Sequence, residues 1–456
     1  MKETQGLNQN SYLKGKYGFM KNILVIKVLP KRYQFNGRPS MGVDLSWRRC
    51  RTRLYSLTGV ILMDKAYTRL PDKENCYGCF ACVNRCSANA IRMIPDHEGF
   101  LYPCVDDKKC TNCGECLRVC PSLCKTSTKK RSKSIVAFAR KYSERVYSKS
   151  SSGGIFPILA KKVLSNKGIV VGAAFNNRWD VEHISIEDAV ELSKLRGSKY
   201  VQSRIGDMYS YVKKMLVDNR TVLFVGTPCQ VAGLKAFLEF DYNNLITVDL
   251  ICKGVPSPLV WNKYLDELYD RRSIVDINFR DKIYGWSPPL TISFTLKNGK
   301  TIRKNSKSDS YMRAFLKSLS LRPSCYRCKY KSMNRVSDIS LGDFWGVGKC
   351  WGIVNDEKGI SLVLVNTNKG YGLYKSIRSE LKVNKRISHR KSVIKNKALT
   401  TGLECSFPPS LTANFSQSLS GGGWFPLPPV SLNKLILQNY SDHPIIDKIL
   451  SAGKSI

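Results

Sequence analysis

Two copies of one cysteine spacing, C-x2-C-x2-C-x3-C, constrain this chain more than any other feature of its sequence. The first copy is Cys76, Cys79, Cys82 and Cys86, and the second is Cys110, Cys113, Cys116 and Cys120. In such a repeat the first three cysteines wrap around one 4Fe-4S cluster, and the fourth reaches across to the other cluster. The spacing therefore predicts two 4Fe-4S clusters and a role in electron transfer.

The exchange of fourth ligands assigns each cysteine to a cluster. One cluster takes Cys76, Cys79, Cys82 and Cys120, and the other takes Cys110, Cys113, Cys116 and Cys86. Zinc sites use C-x2-C pairs separated by longer gaps, and a disulfide framework would not repeat a four-cysteine spacing twice. Both alternatives therefore explain the pattern less well than iron-sulfur clusters do.

The segment from about Asp72 to Pro121 resembles the bacterial two-cluster ferredoxin module. It has proline directly after the last cysteine and a Gly99–Phe100 turn, although Ser87 stands where that family usually has proline. Proline there shapes the exit of the loop and is not a ligand. The resemblance implies an α+β, ferredoxin-like two-cluster fold for this part of the chain.

The composition indicates a globular protein of two or three domains. The chain has 456 residues and is 43% hydrophobic, and its longest apolar runs fall far short of the roughly 18 residues that a membrane span needs. We therefore expect no transmembrane helix. Of the 17 cysteines, most have a use as metal ligands, and thiolate ligation favours a reducing compartment, with the cytoplasm as the default.

The chain is strongly basic, with 74 Lys and Arg against 35 acids and a formal charge of +39. Such a charge favours acidic partners or polyanions. The sequence shows no helix-turn-helix, RNA-binding sheet signature or zinc-finger spacing, so nucleic-acid binding is disfavoured as the main role. An acidic electron donor such as a ferredoxin or flavodoxin suits the charge better.

We expect four segments along the chain. Residues 1–62 are a basic extension, read as a disordered appendage, a targeting segment or sequence before a true start at Met63. Residues 63–125 form the ferredoxin domain, followed by a Ser-, Thr- and Lys-rich linker. Residues 134–400 form a second domain, and residues 401–456 are a tail of unassigned role.

The second domain reads as alternating strands and helices, which predicts an α/β fold with a largely parallel or mixed sheet. The predicted strands are Ile135–Ala139, Gly168–Phe175, Thr221–Val225 and Leu245–Ile251. Cys229 and Cys252 follow two of these strands. Open α/β sheets place ligands at the carboxyl ends of their strands, so we expect both cysteines to face one site.

Cys325 and Cys328 form a further C-x2-C pair. Together with Cys229 and Cys252 they would supply the four ligands of a third cluster. On spacing alone, the pair fits half of a zinc knuckle equally well, and cysteines at strand ends are often small buried hydrophobic residues.

One short stretch and one lysine are candidate contacts for an anionic cofactor. Ser150 to Gly154 precede a predicted helix, where small residues let backbone N–H groups approach a phosphate; a plain helix cap explains them as well. Lys199 would place a positive charge near the same ligand, although most lysines are only solvated. Gly226 and Thr227 form a turn at the end of a strand.

Several motifs make residues 134 to about 365 similar to the beta subunit of coenzyme F-420 reducing hydrogenase and its relatives. The motifs are SSGG at 151–154, GSKYVQS at 197–203, GTPCQ at 226–230, ICKGVPSP at 251–258, FRDK at 279–282 with GW at 285–286, and CYRC at 325–328 leading into SDISLGDFWG at 337–346.

The resemblance implies a flavin-dependent iron-sulfur oxidoreductase. It implies FAD near Ser151, Ser152, Gly153, Gly154, Lys199, Gly226 and Thr227, and a cluster on Cys229, Cys252, Cys325 and Cys328. Electrons would pass from clusters through FAD to coenzyme F-420 or another small two-electron acceptor. The competing class is a non-catalytic electron-transfer subunit of a larger redox complex.

No catalytic residue is identified by the sequence. Relatives usually carry histidine at the position of Lys253, and none of the four histidines lies in these motifs. We therefore expect no histidine proton donor near the site.

Overall fold

The protein is described here from a computed structural model, which covers residues 70–124, 135–141, 146, 149–331, 334–344 and 357–388. All of them belong to one compact unit of the chain. The expected extension at 1–62 and the tail at 401–456 lie outside the described residues. No helix within the described ranges has the length and apolar character needed to cross a membrane.

The ferredoxin-like segment consists of two short helices and a hairpin. Its elements are α1 (Ala81–Arg85), β1 (Ile91–Pro95), β2 (Leu101–Val105) and α2 (Glu115–Arg118), with β1 and β2 antiparallel. Each helix begins inside a cysteine loop, after a left-handed residue, Phe80 or Gly114. The left-handed turn ends the loop and lets the next cysteine, Cys82 or Cys116, lie on the helix.

The second domain is built on one large sheet and one small sheet. Its strands are β3 (Ile135–Lys141), β4 (Ile169–Phe175), β5 (Val181–Ile186), β6 (Val222–Gly226), β7 (Leu245–Leu250), β8 (Ile274–Asp281), β9 (Thr291–Leu296), β10 (Thr301–Asn305), β11 (Ile339–Asp343), β12 (Ser361–Val365) and β13 (Leu381–Ser388). Its helices are α3 (Ile155–Ser165), α4 (Leu192–Leu195), α5 (Met208–Val217), α6 (Pro228–Leu238), α7 (Pro258–Leu268), α8 (Ser310–Leu316), α9 (Pro323–Tyr326) and α10 (Asn368–Ile377).

The large sheet has eight strands in the order β13-β3-β12-β11-β7-β6-β4-β5. The neighbours β11, β7, β6 and β4 are parallel, and the outer pairs are antiparallel. The α/β prediction is confirmed, and the mixed alternative is the correct one. The predicted strands are also confirmed, with ends shifted by one or two residues.

Helices cover both faces of this sheet because its central strands are apolar on both sides. One face packs against α3 and α10 through Ile158, Val163 and Tyr374. The other face packs against α5 and α6 through Tyr209 and Val231. The cores are continuous layers of buried aliphatic and aromatic side chains, which is the usual way to bury a parallel sheet.

The ferredoxin-like segment packs on the α5 and α6 face of the sheet. Its Tyr77, Phe80 and Ala81 share one hydrophobic core with Tyr209 and Val231. The predicted cluster loops therefore lie directly against the second domain rather than at the end of a linker.

The small sheet, β10-β9-β8, forms a separate layer beside the large one. Its core is largely aromatic and includes Trp261, Phe279 and Tyr311, with Trp261 and Phe279 ring centres 5.0 Å apart. The chain between β8 and β9 carries Trp286, which also lines the cavity described below.

Candidate functional site

The first thiol group is Cys76, Cys79, Cys82 and Cys120. Three of these side chains are buried, and the charges of Cys120, Cys82 and Cys76 act on Cys79 at close range. Burial and the neighbouring sulfurs hold the pKa of the Cys79 thiol well above its usual range. The structure thus brings Cys120 of the second motif to the first three cysteines, as the exchange of fourth ligands requires.

The second thiol group is Cys110, Cys113 and Cys116, and it lies nearer the surface. Cys113 is exposed, and burial together with Cys113 raises the pKa of Cys116 to about 11. Cys86, its expected fourth member, accepts a hydrogen bond from the Ala90 amide at 3.3 Å. Its place in this group rests on the rule that the two motifs exchange their fourth ligands.

The first and second groups are neighbours, because Cys116 is among the charges that raise the pKa of Cys82.

The third thiol group is Cys229, Cys252, Cys325 and Cys328. Cys229 lies in the first turn of α6, which begins with Pro228 and is fixed by a hydrogen bond of 2.9 Å from the Thr227 amide to the Gln230 side chain. Cys252 follows β7 directly. Burial and the other three sulfurs raise the pKa of Cys252, so the structure brings all four predicted residues together.

Four partly buried cysteines held close together suit an iron-sulfur cluster. Neighbouring thiols raise the pKa of Cys229 and Cys252, and a positively charged core would relieve that repulsion and stabilise the thiolates. No set of three or more His, Cys, Asp or Glu side chains in the described segments converges on a single metal ion. That result is compatible with a cluster, in which each thiolate binds a different iron.

The first and third groups share the helix α6. A Cβ atom built on Gly233 would lie 3.0 Å from the Cys79 sulfur. Gly233 is one turn beyond Cys229, about 6 Å along the helix. Tyr77 lies between Cys76 and Cys79 in sequence. The Cys328 thiol is close enough to help raise the pKa of Tyr77, which again brings the first group near the third.

A cavity of about 1200 Å³ lies next to the third group. Its wall includes Cys252 and the carboxyl ends of β6, β7 and β11, the edge where open α/β sheets bind ligands. The volume exceeds the usual 300–1000 Å³ of a drug-sized site. It therefore has room for a dinucleotide.

Six of the seven residues predicted to contact flavin line this cavity, namely Ser151, Ser152, Gly154, Lys199, Gly226 and Thr227. Gly153 does not line it, and its amide donates to the Ser361 hydroxyl at 2.9 Å. Ser151 accepts a hydrogen bond of 2.8 Å from the Ser198 amide, and Ser152 donates to the Ile360 carbonyl oxygen at 3.2 Å. Both serines therefore tie the loop to its neighbours.

The helix-cap reading of this loop is not supported. Gly154 precedes α3 in a left-handed conformation, and no side chain caps the helix. The helix begins at the cavity, so its first backbone N–H groups remain available to an anion.

Lys199 stands in the cavity wall, but its ammonium group is held by backbone carbonyl oxygens. It donates to Lys194, Arg196 and Gly197 at 3.0, 2.9 and 3.3 Å. Burial lowers the pKa of Lys199 to about 7. The side chain thus fixes the turn after α4.

His183 also lines the cavity, although it lies in none of the sequence motifs. The expectation that no histidine proton donor lies near the site therefore stays a prediction, since both ring nitrogens of His183 are bonded to the protein. Strand β5 lies beside β4 and turns this side chain inward. Its Nε2 donates to the Val225 carbonyl oxygen at 3.1 Å, and its Nδ1 accepts from the Ser203 hydroxyl at 3.0 Å. Because burial lowers its pKa to about 4, the ring is neutral near pH 7.

The charged residues of the cavity wall are mainly basic, and two of them were not predicted from the sequence. Arg196 and Arg280 join Lys199 and Lys253, against Asp343. Arg280 is buried and forms an ion pair of 2.6 Å with Asp343. Arg280 belongs to the FRDK motif at 279–282, but a lone arginine gives no sequence signal of a cavity.

Comparison with known proteins identifies two domains. Residues 75–124 match the family model of the 4Fe-4S dicluster domain. Residues 219–388 match the family model of the C terminus of the coenzyme F420 hydrogenase/dehydrogenase beta subunit.

Two curated proteins are similar to more than two thirds of this chain. The chain is 25% identical over 324 residues to the coenzyme F420-dependent sulfite reductase of Methanocaldococcus jannaschii, covering 69% of this chain and 47% of that protein. It is 21% identical over 320 residues to the F subunit of the F(420)H(2) dehydrogenase of Methanosarcina mazei, covering 68% and 84%. It therefore spans about half the length of the sulfite reductase.

Among solved structures, a chain from the xenon-derivatised F420-reducing [NiFe] hydrogenase complex of Methanosarcina barkeri is similar with a TM-score of 0.40. The identity is 14%, and the match covers 66% of this chain and 99% of that one.

Proposed function

We propose a function for this chain from its two matched regions, residues 219–388 with the C terminus of the coenzyme F420 hydrogenase/dehydrogenase beta subunit and residues 75–124 with the 4Fe-4S dicluster domain. The protein is an iron-sulfur flavoprotein oxidoreductase that takes single electrons at its ferredoxin-like domain and delivers two to an organic acceptor. Three 4Fe-4S clusters would bind the three thiol groups, and FAD would bind in the cavity.

The arrangement of the thiol groups supports one route through the protein. The second group is the most exposed, Cys116 brings it near the first, and Gly233 brings the first near the third. Clusters held by these thiol groups would exchange single electrons, and FAD held in the cavity would convert them into a two-electron transfer. The chain's own contribution is to hold these sites in sequence and to keep water from the buried thiols.

The observation that carries the proposal is the shared wall between the third thiol group and the cavity. Cys252 belongs to both, and the loops at Ser151 and Gly226 face the same space. The excess of basic over acidic side chains in the wall favours a ligand that carries phosphate or carboxylate groups.

The acceptor is coenzyme F420 or another small two-electron acceptor. The strongly basic chain favours an acidic donor such as a ferredoxin or flavodoxin, or a subunit of a redox complex. Twelve ligand thiolates require a reducing compartment, for which we propose the cytoplasm. We further propose domains at 63–125 and 134–400, flanked by the extension at 1–62 and the tail at 401–456.

The test is electron delivery to flavin in Cys252→Ser, prepared anaerobically. We expect this variant to retain FAD and to lose at least about tenfold in the rate of flavin reduction by reduced ferredoxin, because serine replaces the thiolate nearest the cavity. Cys104→Ser, at an exposed position on β2, is the matched control and should behave as wild type.

An unchanged rate in a flavin-loaded Cys252→Ser protein would rule out the route through the third group. If wild-type protein binds no flavin even after reconstitution, the chain is instead a non-catalytic electron carrier.

A further inference from the structure

Arg322 is a fully buried arginine between the first and third thiol groups, with 0% of its surface exposed. Its backbone is hydrogen-bonded to the chain around the third group. The Arg322 carbonyl oxygen accepts a hydrogen bond from the Cys325 amide at 2.8 Å, and the Arg322 amide donates to the Val255 carbonyl oxygen at 2.9 Å. Its side chain reaches into the loop of the first group.

The guanidinium makes four hydrogen bonds, and two of them go to Cys76. Nε donates to the Cys76 carbonyl oxygen at 2.7 Å, and Nη2 approaches the Cys76 sulfur at 3.6 Å. The other two go to the Gln202 side chain at 3.1 Å and to the Leu101 carbonyl oxygen at 3.0 Å. The Tyr102 ring stacks on the guanidinium at 4.2 Å.

No carboxylate forms an ion pair with Arg322 in the part of the chain described. The nearby acids Glu98 and Asp96 act on the Tyr102 ring beside Arg322, but neither forms an ion pair with it, and a buried cation without an ion-pair partner is costly. The candidates for the counter-charge are the thiol groups: a 2+ core held by four thiolates has a net charge of about −2. Arg322 also acts on Cys229 and Cys325 at close range, so its charge reaches the third group as well.

The neighbouring loop keeps room for this side chain. Gly78 has φ +61°, and a Cβ atom there would lie 2.8 Å from Nη1 of Arg322 and 2.9 Å from the Gln202 side chain. Glycine at this position therefore serves both the left-handed turn and the close approach of the guanidinium.

We propose that Arg322 raises the reduction potential of the cluster on Cys76, Cys79, Cys82 and Cys120, and so draws electrons from the second group toward the third. Reduction adds one negative charge to a cluster, and a fixed cation bonded to its ligand sulfur stabilises the reduced form. This inference rests on the clusters of the proposed function, but it does not depend on flavin or on the acceptor.

The experiment is a redox titration of anaerobically purified protein, with dithionite as reductant and electron paramagnetic resonance as the readout. Cys76→Ser changes a ligand of the first group, so the reduction step that this variant alters is assigned to the cluster of that group. We expect Arg322→Gln to make the potential of this step more negative. The equilibrium constant for one-electron reduction should fall at least tenfold, which corresponds to about 59 mV. Arg322→Lys keeps the charge and should shift the potential less.

Two further variants separate charge from packing. Gln202→Glu leaves Arg322 in place but gives it a carboxylate partner, so we expect a shift in the same direction as with Arg322→Gln. Arg92→Gln removes an arginine at an exposed position of β1 and should leave every step unchanged, since solvent screens that charge.

Iron content decides between the outcomes. Unchanged potentials in iron-loaded Arg322→Gln would overturn the proposal and leave Arg322 a packing residue. If that variant loads less iron than wild type, unchanged potentials in Gln202→Glu would overturn it. If the wild-type protein itself binds no clusters, the proposed function fails too, whereas a loaded protein without flavin leaves this inference standing.

Discussion

Lys199 and His183 show how the surroundings of a residue decide its role. Both line the cavity, and both side chains are occupied by groups of the protein, Lys199 by three carbonyl oxygens and His183 by Val225 and Ser203. Sequence reasoning selected Lys199 by its position in a motif and passed over His183, which lies in none. Lys199 and His183 would therefore shape the wall around a cofactor in the cavity, with their polar groups already bonded to the protein.

We predict that His183 makes the protein less stable in mild acid. The folded protein keeps the ring neutral down to about pH 4, whereas the unfolded chain binds a proton below pH 6.5. Stability is therefore fully present above pH 6.5 and is lost as the pH falls toward 4, by about 2 kcal/mol between pH 7 and pH 5.

The measurement is urea unfolding at pH 7 and pH 5. His183→Gln should lower stability at pH 7 but reduce its loss between the two pH values, while His97→Gln, at an exposed position, should keep the full loss. An equally large loss in both variants would contradict the assignment to His183.

At the level of elements, the strands and α6 could be predicted because their signals are local. Apolar β-branched runs marked the strands, and a capping threonine followed by proline, here Thr227 and Pro228, is a local signal for the start of a helix such as α6. The packing of the ferredoxin-like hairpin on α7 could not be predicted, since it depends on contacts between residues far apart in sequence. Ser257 shows this: its hydroxyl caps α7 and also donates to the Glu98 carbonyl oxygen.

We predict that Gly99→Ala weakens this packing. Gly99 has φ +80°, and an added Cβ atom would lie 2.2 Å from Cβ of Leu259 on α7. Gly299→Ala is the matched control, because Gly299 has φ +79° and no atom within 4 Å of the added Cβ. Both variants bear the strain of the left-handed backbone, so Gly99→Ala should be less stable than the control by about 1–3 kcal/mol.

Urea unfolding measures the difference. Equal stabilities of the two variants would show that the hairpin does not depend on its contact with α7.

At the scale of the whole molecule, the sequence predicted the members of the thiol groups but not the distances between them. Spacing alone assigned Cys120 to the first three cysteines, and the structure brings it there. Spacing left Cys325 and Cys328 open, because their partners Cys229 and Cys252 lie about 70 to 100 residues earlier and meet them only in the fold. The cavity beside Cys252, and Arg280 within it, were visible only in three dimensions.

The proposed function requires that three clusters and one flavin share this chain. Its most direct test is the iron and flavin content of anaerobically purified and reconstituted protein. We predict about twelve irons per chain, four for each thiol group, and about one FAD. About eight irons and no flavin would contradict the proposed function, because the ferredoxin-like domain would then be loaded while the third group and the cavity remained without their cofactors.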